Sequence, residues 1–186
     1  MHYEDVPGEL DEVLVTEEQL RVRLGELAKQ VEADYNGMDL LLVGVLKGAV
    51  MVMSDFARAL SRPVIMDWMA VSSYGQGTTS SGVVRILKDL DTDITGRNVL
   101  IVEDIIDSGL TLSWLRENLL SRGAASVEIL TALRKPEAIK VEVEAKYVGF
   151  EIPNKFVVGF GLDYAENYRH LRDVAVLNPR VYAESE

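Results

Sequence analysis

The sequence predicts an α/β protein built on a parallel open sheet flanked by helices, and three observations carry that reading. Its strand candidates are continuous apolar runs rather than alternating ones, as in "LLLVGVL" at 40–46 and "VLIV" at 99–102, the pattern of strands covered on both faces. Helical stretches follow these runs, the strand-turn-helix order of crossover units. A length of 186 residues with 48% hydrophobic content suits one domain with a sizeable core and would cramp two.

Taken in order, the acidic start "MHYEDVPGELDEV" carries no apolar stretch of the kind that leads export. In "TEEQLRVRLGELAKQVEADY", Leu20, Leu24, Leu27 and Val31 recur at helical spacing, and Thr16 with Gln19 forms a capping box. "MDLLLVGVLKG" is a strand closed by a glycine, and "AVMVMSDFARAL" the helix after it. "PVIMDWMAVSSY" is a second strand, "GQGTTSSG" a polar loop, and "VVRILKDL" the return strand of a long hairpin. "GRNVLIVED" is a third apolar strand, followed by a helix with Leu112, Leu115 and Leu119 on one face that ends at Gly123. "SVEILTAL" is another strand. Beyond Pro136 come shorter candidates, "AKYVGF", "KFVVGF" and "DVAVL", separated by Pro153 and "GLDYAENYRHL".

Composition excludes several classes. Thirty acidic residues against 19 basic ones leave a formal charge of -11, which opposes sequence-independent attraction to nucleic acid phosphates. With no cysteine there is neither a disulfide framework nor a thiolate metal site, and two histidines offer little for zinc. No run approaches the roughly 18 apolar residues that span a bilayer. The expectation is a soluble cytoplasmic protein.

In open sheets of this kind ligands collect at the carboxyl ends of the strands, where Lys47, Glu103 and Asp107 fall. Ser108, Gly109, Leu110 and Thr111 sit where a strand turns into a helix, so backbone N–H groups and two hydroxyls can converge on a phosphate. No Gly-x-x-x-x-Gly-Lys-Ser/Thr stretch occurs, which disfavours a Walker-type nucleoside triphosphatase. On spacing alone the stretch reads equally well as a capped helix start preceded by solvated acids. "GVLKG" at 44–48, by itself, is better read as a strand-end turn with a solvated lysine, and "SSYG" at 72–75 as a polar hairpin tip.

The whole string "VLIVEDIIDSGLT" changes the balance. It resembles the phosphoribosyl pyrophosphate signature of the type I phosphoribosyltransferases. Together with "LKG", "SY", "LRKP" and "KFVVGFGLDYAENYRHL" in order, the chain from about Leu40 to Val176 is similar to the hypoxanthine-guanine branch that salvages 6-oxopurines. The resemblance implies one domain over 1–186, with a core at about 38–135. A small hood would form from the N-terminal segment and about 136–186. It implies Mg2+ as cofactor, with phosphoribosyl pyrophosphate and a 6-oxopurine base as partners in a homodimer or homotetramer.

By the same resemblance, Ser108 to Thr111 hold the 5'-phosphate and Glu103 and Asp104 the ribose diol. Asp107 is the general base toward purine N7. Leu46-Lys47 is a non-proline cis peptide, and Lys47, Gly48 and Arg169 contact pyrophosphate. Ser73 and Tyr74 belong to a flexible lid. Lys135 donates to the purine 6-oxo group, Phe156 stacks on the base, and Val157 offers main-chain groups; Glu103 and Asp104 are metal residues, and Asp163 ligates a second magnesium. The competing reading is a phosphoribosyl pyrophosphate sensor that binds nucleic acid. It calls for a basic face or an added DNA-binding segment, and an acidic chain offers neither.

Overall fold

The computed structural model describes residues 1–73 and 84–183, and the strands among them form two sheets. Along the chain run Leu10–Val15 (β1), Glu17–Asp34 (α1), Leu41–Leu46 (β2), Val50–Ala59 (α2), Ile65–Ser73 (β3) and Val84–Lys88 (β4). Asn98–Ile106 (β5), Leu110–Ser121 (α3), Ser126–Arg134 (β6) and Tyr147–Glu151 (β7) follow. Val157–Val158 (β8), Val174–Leu177 (β9) and the short helix Pro179–Ala183 (α4) complete the chain.

The larger sheet has the order β4-β3-β2-β5-β6-β7. Its pairs are parallel except β3 with β4, which is antiparallel, as the predicted hairpin return requires. The continuous apolar runs have the predicted cause, because successive side chains of a strand point to opposite faces. Leu42, Leu100 and Val102 pack with Leu20, Leu24 and Leu27 of α1 and with Val52, Met53 and Phe56 of α2. Leu41, Val43, Val99 and Ile101 pack on the other face with Leu112, Leu115 and Leu119 of α3. The capping box at the start of α1 is formed: Gln19 N donates to Thr16 Oγ1 at 3.2 Å, and Thr16 N to Gln19 Oε1 at 2.9 Å.

The smaller sheet is antiparallel, in the order β1-β9-β8. The start read from sequence only as acidic therefore supplies a strand, whose partner lies at the far end of the chain. The larger sheet also draws its last strand, β7, from beyond residue 135. An ion pair of Arg172 with Glu17, at 2.8 Å, ties the segment before β9 to α1. Chain order reverses between β2 and β5, whose neighbours run outward to β3 and β6. Their C-terminal ends define the switch point where ligands settle in open α/β sheets.

Candidate active site

Four segments meet around that switch point. Near the end of β5, Glu103 and Asp104 are partly buried. Burial, with the Asp104 charge adding to it, pushes Glu103 well above the usual carboxylate range. Burial also pushes Asp104 up to about 6, against the N–H of Ile105 and the positive charge of Arg169. Two desolvated acids side by side call for hydroxyl donors or a cation.

Beyond them the chain turns into α3 through Gly109, whose φ of +78° suits glycine. A Cβ there would also strike the Val141 carbonyl oxygen. The Ser108 carbonyl accepts from Lys140 N at 3.0 Å and Val141 N at 3.1 Å, which pins the loop. The first N–H groups of α3 have no intrahelical acceptor. Leu110 N donates to Ser108 Oγ at 3.4 Å, and beside this helix start lies a cleft of about 140 Å³ lined by Glu103, Asp107, Ser108, Gly109 and Thr111, among others, the sort of place where a phosphate binds.

Asp107 is exposed and Lys135 only 7% exposed. Lys135 Nζ donates to Asp107 Oδ2 at 3.3 Å, and the backbone N of Lys135 donates to Ile106 O at 3.0 Å. The end of β6 is thus fastened to the end of β5, and the two charges face each other as a consequence.

The loop after β2 begins with a cis peptide, Leu46-Lys47, in agreement with the expectation. A Cβ on Gly48 would collide with the Asp104 carboxylate, and one on Gly161, at φ +101°, with the Gly48 carbonyl oxygen. Gly48 is therefore sandwiched between β5 and the segment after β8. Above it, Arg169 donates to Gly161 O at 2.8 Å and pairs with Asp163 at 2.9 Å. Lys47 and Arg169 also converge on Glu166, at 2.8 and 3.1 Å.

On the small sheet, Phe156 is 45% exposed. Its ring lies 5.5 Å from that of Tyr182 on α4, and Tyr164 meets it edge-on at 5.9 Å. Val157 packs into the same core cluster as Leu133 near the end of β6. β8 is an edge strand, and Phe156 O accepts from Leu177 N of β9 at 2.9 Å. By the alternation of an antiparallel ladder, the N–H and C=O of Val157 face the open side.

The residues expected from sequence thus fall into two contact groups, Asp107 with Lys135, and Lys47, Gly48, Asp104, Asp163 and Arg169 around the glycine sandwich. Glu103, Ser108, Gly109 and Thr111 line a cleft with Asp107, and Phe156 and Val157 lie at β8 of the small sheet. Ser73 ends β3, and Tyr74 lies outside the described residues. Sequence reasoning missed Glu166 and Tyr182. Glu166 precedes Arg169 by three positions, a helical ion-pair spacing, but this stretch is not helical, since Ala165 and Glu166 have φ of +48° and +65°. Tyr182 lies too far along the chain from Phe156 for any local signal.

The family model described as phosphoribosyl transferase domain matches residues 14–165. The hypoxanthine-guanine phosphoribosyltransferase of Mycobacterium tuberculosis is 58% identical over 182 residues, 95% of this chain and 90% of that protein. The Bacillus subtilis protein of the same name is 49% identical over 174 residues, 94% of this chain and 97% of its own length. Among solved structures, a hypoxanthine phosphoribosyltransferase from Staphylococcus aureus superposes with a TM-score of 0.91 at 48% identity, covering 94% of this chain and 95% of that one.

Proposed function

The chain belongs to the phosphoribosyl transferase family, and we propose that it works in purine salvage. It moves the 5-phosphoribosyl group from phosphoribosyl pyrophosphate to N9 of hypoxanthine, guanine or both, giving IMP or GMP and pyrophosphate. The observation that carries this reading is one conjunction at the switch point: a phosphate-sized helix N-terminus, two desolvated acids and the Asp107–Lys135 pair, in a chain 58% identical to an enzyme named for that activity. No observation favours the nucleic-acid-binding regulator.

In this reading the loop Ser108-Gly109-Leu110-Thr111 grips the 5'-phosphate, and Glu103 and Asp104 accept hydrogen bonds from the ribose hydroxyls. Lys47, Gly48 and Arg169 receive the pyrophosphate. Lys135 donates to the 6-oxo group, Phe156 stacks on the base, and the main chain of Val157 meets its edge. The bond from ribose C1 to pyrophosphate breaks early and leaves oxocarbenium character. N9 then attacks while the Asp107 carboxylate takes the N7 proton. The lid assigned to Ser73 and Tyr74 excludes water that would hydrolyse the cation.

Among the described residues no three acidic or histidine side chains converge as a metal cage. Mg2+ takes one or two carboxylates and completes its shell with substrate oxygens and water. Glu103 and Asp104 would hold one ion and Asp163 a second, and when bound Mg2+ neutralises charge on the donor's oxygens. One domain over 1–186, with the small sheet as its hood, would work in the cytoplasm. Among the described residues no helix is long and apolar enough to cross a membrane. Exposed Ile65 and Met66 on β3 and Leu87 on β4 favour a homodimer or homotetramer.

The test mixes purified protein, Mg2+ and phosphoribosyl pyrophosphate with hypoxanthine, guanine, xanthine, adenine or uracil and follows pyrophosphate release. Release with hypoxanthine or guanine is expected. Release with adenine or uracil alone would overturn the substrate class. Nucleic acid binding that responds to the donor, with no release for any base, would favour the regulator.

A further inference from the structure

Both cations assigned to pyrophosphate already face an anion of this chain. Glu166 Oε2 lies 2.8 Å from Lys47 Nζ and Oε1 lies 3.1 Å from Arg169 Nη2. One carboxylate therefore bridges the loop after β2 to the hood, across 119 positions of sequence. Its presentation is built in. Tyr164 and Asn167 close a two-residue turn, with Asn167 N donating to Tyr164 O at 2.9 Å and Tyr164 N to Asn167 O at 3.2 Å. The central residues Ala165 and Glu166 both have positive φ, the geometry of a type I' turn. The backbone N of Glu166 donates to Asp163 Oδ2 at 2.9 Å, which fixes the turn against the residue paired with Arg169.

We infer that Glu166 is an internal competitor for the pyrophosphate subsite: its carboxylate occupies Lys47 and Arg169 in the free enzyme and must leave them before pyrophosphate binds. The inference rests on the reading that these two cations hold pyrophosphate. The side chains of Lys47 and Glu166 are 66% and 63% exposed, so solvent and salt screen the contact. A contact of that strength yields to a polyanion with several charged oxygens, yet it lowers the affinity for that polyanion by whatever fraction of time it is formed. When pyrophosphate is the product, the returning carboxylate speeds its departure.

The experiment measures the dissociation constant of pyrophosphate with Mg2+, and its inhibition constant as product, in the wild type, Glu166→Gln, Glu166→Asn and Lys47→Ala. Gln keeps the size of Glu without its charge. Asn tolerates the positive φ better than Glu does, so the second variant keeps the turn if the first disturbs it. Both should bind pyrophosphate about three- to tenfold more tightly, with the KM for hypoxanthine unchanged, and the gain should shrink in 1 M salt. Weaker or unchanged binding in both, alongside a clear loss in Lys47→Ala, would overturn the competitor and leave the subsite standing. Unchanged binding in Lys47→Ala would instead overturn the subsite.

Discussion

Asp107 and Lys135 show how little of a residue's task lies in its own letter. Each was legible as a site residue because its motif resembles a known one. That they face each other at 3.3 Å was not legible, since the contact depends on Lys135 N bonding to Ile106 O across two parallel strands. The residues proposed as base reader and proton acceptor thus lie against each other. Asp107→Asn should lower kcat by about 10²- to 10⁴-fold, the range for a lost general base, and leave the KM for phosphoribosyl pyrophosphate within a few-fold. Glu103→Gln, at the proposed diol site, should do the reverse and raise that KM more than it lowers kcat. Steady-state kinetics with both substrates varied decides, and equal effects on both constants in both variants would sink the division of labour.

Elements were legible where burial is two-sided and local. β2 and β5 announced themselves as unbroken apolar runs, and α1 by its leucine spacing and capping box. β1 did not, because "LDEVLV" carries two charges in six residues and pairs with Val174–Leu177 at the other end of the chain. β8 shrank to two residues because Gly159 and Phe160 turn out of the strand at φ +97° and +50°. β3 holds a charge that no pattern explains. Asp67 is 4% exposed and accepts from Trp68 N at 2.7 Å, Thr92 N at 2.8 Å and Asp91 N at 3.0 Å, so it anchors the chain between β4 and β5. Burial raises its pKa, but those N–H groups outweigh burial and hold it below the usual value. A depressed folded pKa stabilises the fold above the unfolded value of about 3.9, and that stabilisation is lost as pH falls through the folded value. Asp67→Asn should therefore cost about 1–3 kcal/mol at pH 7, several degrees of Tm. In thermal melts across pH 7 to 3, the gap from wild type should close toward the acid end. A constant gap would count against the charge.

At the scale of the whole molecule, the large sheet meets the segment after β8 where Asp104, Gly48 and Gly161 stack without room for one Cβ. Gly161→Ala should lower Tm and reduce kcat/KM for both substrates by at least about tenfold, with far-UV circular dichroism unchanged. Wild-type kinetics in that variant would show the joint to be incidental. The architecture of the large sheet was readable because each strand-helix unit is contiguous in sequence. The joint was not, because it depends on backbone meeting backbone from distant segments. The open edge of β8 has a further consequence. A base recognised there is read by peptide N–H and C=O groups, which every residue but proline carries alike. No substitution but proline erases such a contact, so escape from an inhibitor held only by this edge must come from moving the strand.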